Sequence, residues 1–321
     1  MDSRNHRKLK QKIISFLLTV VLILTPLAAA GCWDKRELED QAFAQVIGVD
    51  HTPKGVVLTV MFAIPRNLAG AGGGGGGGGS GGDTFMVTSV ESPSVFAALN
   101  LINGYVDRRV NLMHTKTIVV GEEEARTGVS ASLGAFMRYR EVRRTVNIVV
   151  ARGRAADFIK AYESIMEANS AKWFEEMGLL YTFTGLTPRS QYHQFLLGME
   201  SRSYNPVAVL AGIRGQDSEK DPDEERREVL GKTRTEANFL AGDIPRRGGV
   251  PIEFLGTAVF RGDKMTGTFT GEETRMLLML TGEFRRAFMA FEDPLAKNMF
   301  ISIDVRQGSL PVVKVDLSGE R

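Results

Sequence analysis

One residue constrains this chain more than any other: Cys32, the only cysteine among 321 residues. It closes the small-residue run Leu27-Ala-Ala-Ala-Gly-Cys32 and is followed at once by Trp33-Asp-Lys-Arg-Glu-Leu38. A single thiol permits no disulfide within one copy of the chain. Whatever folds after it must therefore be held by buried apolar surface.

The residues before Cys32 have the three parts of an export signal. Arg4, Arg7, Lys8, Lys10 and Lys12 form a basic start, and Ile13 to Leu24 form an apolar stretch. Helix-breaking Pro26 and the small-residue site come next. The basic end stays on the cytoplasmic side while the apolar run enters the bilayer. The apolar character from Ile13 to Ala30 falls little short of a membrane span, so an uncleaved anchor is the competing interpretation. The Ala-Ala-Ala-Gly-Cys ending favours cleavage between Gly31 and Cys32, with Cys32 lipidated. A diacylglyceryl thiol carries two chains, and two chains give stable attachment where one does not.

Cleavage changes the charge. The precursor is +2, whereas the 290 residues from Cys32 onward carry 35 basic and 37 acidic groups, or −2. A near-neutral body without a basic stripe gives no support for a nucleic-acid partner, and none is expected. Its length is more than one core usually serves.

Residues 42–50 and 56–64 are rich in β-branched residues and flank His51-Thr-Pro-Lys-Gly55, a pattern that predicts a hairpin. A glycine-rich loop occupies 70–82. No Lys-Ser/Thr pair follows it and the next segment, 84–90, reads as a strand, so it is a flexible loop and not a phosphate cradle. Ser92-Pro93 opens a predicted helix to Asn103 with Val95, Leu99 and Ile102 on its inner face. Strands are expected at 113–121 and 146–150. Helices are expected at 129–140 (Leu133, Phe136 and Met137 inward), 154–167, 170–183 (Trp173, Met177 and Leu180) and 191–200 (Tyr192, Phe195, Leu196 and Met199). A charged stretch follows from Arg214. Beyond it lie a strand at 251–260, a turn at 261–264, a helix at 271–280, and strands at 300–305 and 312–317. The pattern reads as an α+β fold in more than one domain, with mixed sheets and packed helices behind the signal. The expected division is 1–31 signal, 32–213 N-terminal α+β domain, 214–249 charged linker and 250–321 C-terminal α+β domain.

No motif in the chain supports catalysis. His51, His114 and His193 stand in unrelated contexts, so no metal site is expected. Gly231-Lys-Thr233 imitates the end of a phosphate loop, but Arg226 stands where the motif needs glycine. Glu122–Glu124 and Glu272–Glu273 are ordinary first-turn acids. No cofactor is implied.

Several segments together resemble one family, the Ger(x)C lipoproteins, the C subunits of bacterial spore germinant receptors. They are Gly31-Cys32-Trp33-Asp34-Lys35-Arg36-Glu37-Leu38, then Ile47-Gly48-Val49-Asp50, Gly256-Thr-Ala-Val-Phe260, Asp263-Lys-Met265 and Thr270-Gly271-Glu272-Glu273-Thr274-Arg275. The resemblance implies a non-catalytic subunit on the outer face of the spore inner membrane, with two integral-membrane receptor subunits as partners. It also implies a longer final domain, so the C-terminal unit is expected to be incomplete. Two other functions stay open on the residues alone: a lipid-anchored solute-binding protein and an anchored cell-wall hydrolase.

Overall fold

The computed structural model describes residues 3–29, 37–64, 84–163, 170–215, 235, 237–293, 295–296, 299–306 and 314. The glycine tract 70–82, most of the charged stretch and the expected strand 312–317, apart from Lys314, lie outside the described residues. The chain forms two compact units, Met1–Gln41 and Ala42–Arg321.

The first unit holds helix α1 (Ser3–Ala29) and a 3-10 turn at Leu38–Asp40. The helix runs through Pro26, where the sequence predicts a break. Thr19 and Thr25 donate their hydroxyls to carbonyls four residues back, at 2.8 and 2.6 Å, which satisfies them on an apolar surface. Among the described residues no helix is long and apolar enough to cross a membrane.

The second unit is built on a nine-stranded mixed sheet. The predicted hairpin is β1 (Gln41–Thr52) with β2 (Gly55–Ala63), and β3 (Phe85–Ser92) pairs antiparallel on its outer side. On the other side of β1 lie β5 (Thr117–Gly121), β6 (Asn147–Ala151) and β7 (Val207–Ile213), all parallel. Then β8 (Ile252–Arg261) and β9 (Lys264–Phe269) return antiparallel, and short β4 (Arg109–Asn111) pairs with β1. The fold is α+β, with four parallel strands at its centre.

Both faces of that centre are covered, so its strands are apolar on both sides. Ile118 and Val120 of β5, Ile148 and Val150 of β6, and Leu210 of β7 pack into one core. Helices α2 (Val95–Ile102), α4 (Ser130–Arg138) and α7 (Tyr192–Glu200) contribute Leu99, Phe136, Tyr192 and Phe195 to it. The alternate residues Val119, Val149, Val209 and Ala211 point into a second core, with Phe158 and Ile159 of α5 (Ala155–Lys160) and Phe174 of α6 (Ser170–Met177). Helix α3 (Glu122–Thr127) adds Ala125 to the first core. Beyond β9, helix α8 (Gly271–Thr281) and the hairpin β10 (Ala287–Glu292) and β11 (Phe300–Val305) enclose a third cluster of Leu278, Phe284, Ala287 and Met289.

Several local expectations are corrected. The α2 cap is Ser94, whose hydroxyl accepts from Ala97 N–H; Ser92 is buried at the end of β3, paired with Val56. Met137 is exposed: the buried face of α4 runs through Ser132, Leu133 and Phe136, and the next position along the helix turns toward solvent. The 113–121 strand begins only at Thr117, and the helix expected from 154 extends only to Lys160. Strand β7 was not expected, nor were β9 and β10. Hydrogen bonds join β7 to β8 directly, so the sheet is continuous across residues 214–249. Within that stretch Phe239 and Ala241 are core residues.

Candidate functional site

In open sheets with parallel strands, ligands settle beyond the carboxyl ends of the strands, where helix N-termini attract anions. Here that position is filled by the chain itself. Asp50, near the end of β1, accepts from the first two amides of α5: Ala155 N–H at 2.6 Å and Ala156 N–H at 2.9 Å. Arg154, the N-cap residue, supplies no side-chain cap, so Asp50 does that work from another strand. Gly121 lets it in, since a Cβ there would stand 2.2 Å from Asp50 Oδ1. Asp50 is only 4% exposed. Burial raises its carboxyl above the ordinary value, against the opposing pull of the two amides and of Arg154. Beside it His51 Nδ1 lies 3.3 Å from the buried Glu124 carboxylate. The segment Ile47-Gly48-Val49-Asp50 thus packs and caps. Gly48 is pressed so closely to α5 that a Cβ would lie 2.7 Å from Ile159 Cδ1.

The second cluster is built on Thr270–Arg275. Thr270 and Glu273 form a capping box: Glu273 N–H donates to the Thr270 hydroxyl at 3.3 Å, and Thr270 N–H to Glu273 Oε2 at 2.8 Å. Gly271 and Glu272 donate their amides to the carbonyls of Phe239 and Ala237, at 3.1 and 2.9 Å. The Glu272 carboxylate accepts from the Thr235 hydroxyl at 2.9 Å. The Thr274 hydroxyl meets that of Thr257 on β8 at 2.8 Å, both fully buried. Arg275, 4% exposed, donates Nε to Thr184 O at 3.1 Å and Nη2 to Phe288 O at 2.9 Å. Gly256 holds a positive φ of 91° and donates its amide to Leu186 O at 2.8 Å. Segments that stand far apart in sequence therefore meet at the junction of β8, α8 and β10. Their polar atoms are committed to holding that junction.

The remaining predicted positions lie elsewhere. Gly31, Cys32, Trp33, Asp34 and Arg36 lie outside the described residues. Glu37 offers its carbonyl to Asp40 N–H at 3.3 Å and to the Gln41 side chain at 3.1 Å, and Leu38 is exposed. Sequence reasoning missed a third polar cluster. Glu253, nearly buried, accepts from Arg246 at 2.7 Å and from Gly242 N–H at 2.8 Å, while Arg152 reaches Asp243 at 2.7 Å. The one charge inside an otherwise apolar strand was the signal for Glu253.

Two family models match the chain. Residues 34–213 match the spore germination protein N-terminal domain, and residues 255–321 match the spore germination B3/GerAC-like C-terminal domain. The chain belongs to this family of spore germination proteins. Its relatives in Bacillus subtilis (strain 168) include spore germination protein KC, 35% identical over 161 residues, which are 49% of this chain and 39% of that protein. Spore germination protein YndF is 24% identical over 301 residues, 86% of this chain and 64% of that protein. Spore germination protein B3 is 29% identical over 146 residues, 43% and 35% of the two chains. The matched part spans less than two thirds of each of these relatives. No solved structure matches the chain. Asp50 is the residue that caps α5, and Thr257 and Thr270–Arg275 are those that hold α8 in place.

Proposed function

We propose that this chain is the lipid-anchored, non-catalytic C subunit of a nutrient germinant receptor. It would sit on the outer face of the spore inner membrane and support assembly of the complex with two integral-membrane subunits. The observation that carries this reading is the coincidence of two family domains, at 34–213 and 255–321, with a lipidation pattern ending at Cys32, just before the first of them. The architecture supports a non-catalytic role. The position where a parallel sheet would bind a cofactor is closed by Asp50, and Thr257, Thr274 and Arg275 are occupied in holding the fold.

The test replaces Cys32 by alanine in the full chain. Palmitate labelling should disappear, the protein should remain as unprocessed precursor or be shed from the membrane fraction, and nutrient-triggered germination should slow. Normal labelling, retention and germination of the variant would overturn the anchored-subunit reading.

A further inference from the structure

A net charge near zero conceals one basic segment. Residues 138–144, Arg138-Tyr-Arg-Glu-Val-Arg-Arg144, hold four arginines and one acid. They run from the end of α4 toward β6, and all four arginines are exposed. The backbone that carries them is pinned. Val142 N–H donates to Tyr139 O at 3.2 Å, Val146 N–H to Arg143 O at 3.3 Å and His193 N–H to Arg144 O at 3.0 Å. The Tyr139 ring packs beside Phe96 of α2, with centroids 5.9 Å apart.

Nearby acids leave these charges standing. Glu141, half-buried, accepts from Leu112 N–H at 3.0 Å, and Glu175 pairs with Lys116 at 2.7 Å. Among the described residues Arg138, Arg140, Arg143 and Arg144 have no ion-pair partner. The Glu141 contact also brings the segment around Leu112 alongside, where Met113 is 47% exposed; Met137, at the end of α4, is 52% exposed. Unpaired guanidinium groups beside protruding apolar side chains match an anionic lipid surface. Headgroup phosphates accept from the arginines, and the methionines enter the boundary beneath the headgroups.

Topology brings this face to the anchored end of the molecule. Strand β1 runs parallel to β5 and β6, with Val46, Thr117 and Asn147 level across them. The chain therefore enters the sheet at the end where residues 138–144 lie. Residues 32–41 are the whole tether before Ala42, a reach of about 35 Å at most. Asp50 lies about 25 Å farther along β1. The body from Cys32 onward carries −2, so the attraction has to be local; screening confines it to about 8 Å at physiological salt. A tether makes such a weak contact effective by keeping its concentration high.

We propose that Arg138, Arg140, Arg143 and Arg144, with Met113 and Met137, form a face that docks on the anionic phospholipid headgroups of the bilayer holding the anchor, and so orients the sheet with its Asp50 end away from the membrane. The proposal rests on the anchored reading for the tether, and adds to it a second contact that sets orientation.

The experiment reconstitutes the full chain into phosphatidylcholine vesicles with or without about one third phosphatidylglycerol, and follows modification of each arginine by phenylglyoxal. Arg140 and Arg143 should react at least about tenfold more slowly on the anionic vesicles. Salt at about 1 M should restore their rate. Arg154, exposed at the Asp50 end, should react alike on both. The double variant Arg140→Gln with Arg143→Gln changes exposed side chains only, so its unfolding midpoint should hold while Arg138 and Arg144 lose their protection. Equal rates on the two vesicles, protection that persists in high salt, or equal protection of Arg154 would each overturn the proposal while leaving the anchor intact. Protection seen only in native membranes that retain other proteins would assign the face to a protein partner and overturn it as well. A chain that leaves both kinds of vesicle would overturn the anchored reading together with the proposal.

Discussion

Asp50 and Ala155 stand 105 positions apart in sequence, yet the carboxylate Oδ1 of one accepts from the amide of the other at 2.6 Å. This contact and its neighbour to Ala156 tie the end of β1 to the start of α5, across the β5–β6 half of the sheet. Asp50→Ala leaves both amides without their acceptor in a buried place and should cost about 1–3 kcal/mol, read by denaturant unfolding of the full chain.

The same carboxyl predicts a pH dependence. Its folded pKa is raised above the ordinary carboxyl value of 3.8, chiefly by burial. The folded state therefore holds the proton more tightly than the unfolded chain, so stability falls as pH rises through the folded value. Below pH 3.8 the contribution is fully present; above the elevated folded pKa it is gone. Relative to Asp50→Asn, which does not titrate, the wild-type chain should lose stability as pH is raised from about 4 toward neutrality. A wild-type minus variant difference that stays flat or grows over that range would contradict the burial argument.

Gly121 should behave as Asp50's counterpart. A methyl group at Gly121 collides with the carboxylate oxygen at 2.2 Å, so Gly121→Ala should destabilise by about 1–3 kcal/mol. Combining it with Asp50→Ala removes the collision, and the double variant should be more stable than the sum of the singles predicts. Strict additivity would show that the two residues do not share the site.

Much of this fold was legible because its signals are local. The β1–β2 hairpin announces itself through two β-branched runs around Lys54-Gly55, and the inner face of α2 through Val95, Leu99 and Ile102. What escaped is what depends on distant partners. Val207 to Ile213 is apolar without alternation because both of its faces are covered, so it has no strand period to read. Lys264–Phe269 is short and polar, and it is held as a strand by its pairing with β8. The clusters follow the same rule. The capping box is visible in Thr270-Gly-Glu-Glu, but Asp50 gives no local sign of its amide donors, nor Arg275 of its carbonyl acceptors.

The Thr257–Thr274 hydroxyl pair is a case for a double-mutant cycle. Each oxygen is fully buried and meets the other at 2.8 Å. Replacing either threonine by valine keeps the shape but strands the remaining hydroxyl, at a cost of about 1–3 kcal/mol. Replacing both removes the stranded group, so the double variant should be distinctly less destabilised than the sum, with a coupling of about 0.5 kcal/mol or more.

Arg275 ties three elements at once, and its loss should be felt away from its own helix. From α8 it donates to Thr184 O in the loop before α7 and to Phe288 O in β10, while itself nearly buried. Arg275→Ala leaves both carbonyls short of a charged donor and should cost about 2–4 kcal/mol. The β10–β11 hairpin rests on a small cluster of Leu278, Phe284, Ala287 and Met289, with Met279, Phe291 and Val305 packed against it, so it should open first. Hydrogen exchange at Met289 and Ala290 should accelerate well before amides of β5 and β6 respond. Arg275→Lys keeps the charge but not the planar fork that reaches two carbonyls in different directions, and should recover less than half of the loss. Full recovery by lysine would assign the effect to charge. Uniform acceleration across the whole sheet would show that the hairpin has no separate stability for Arg275 to hold.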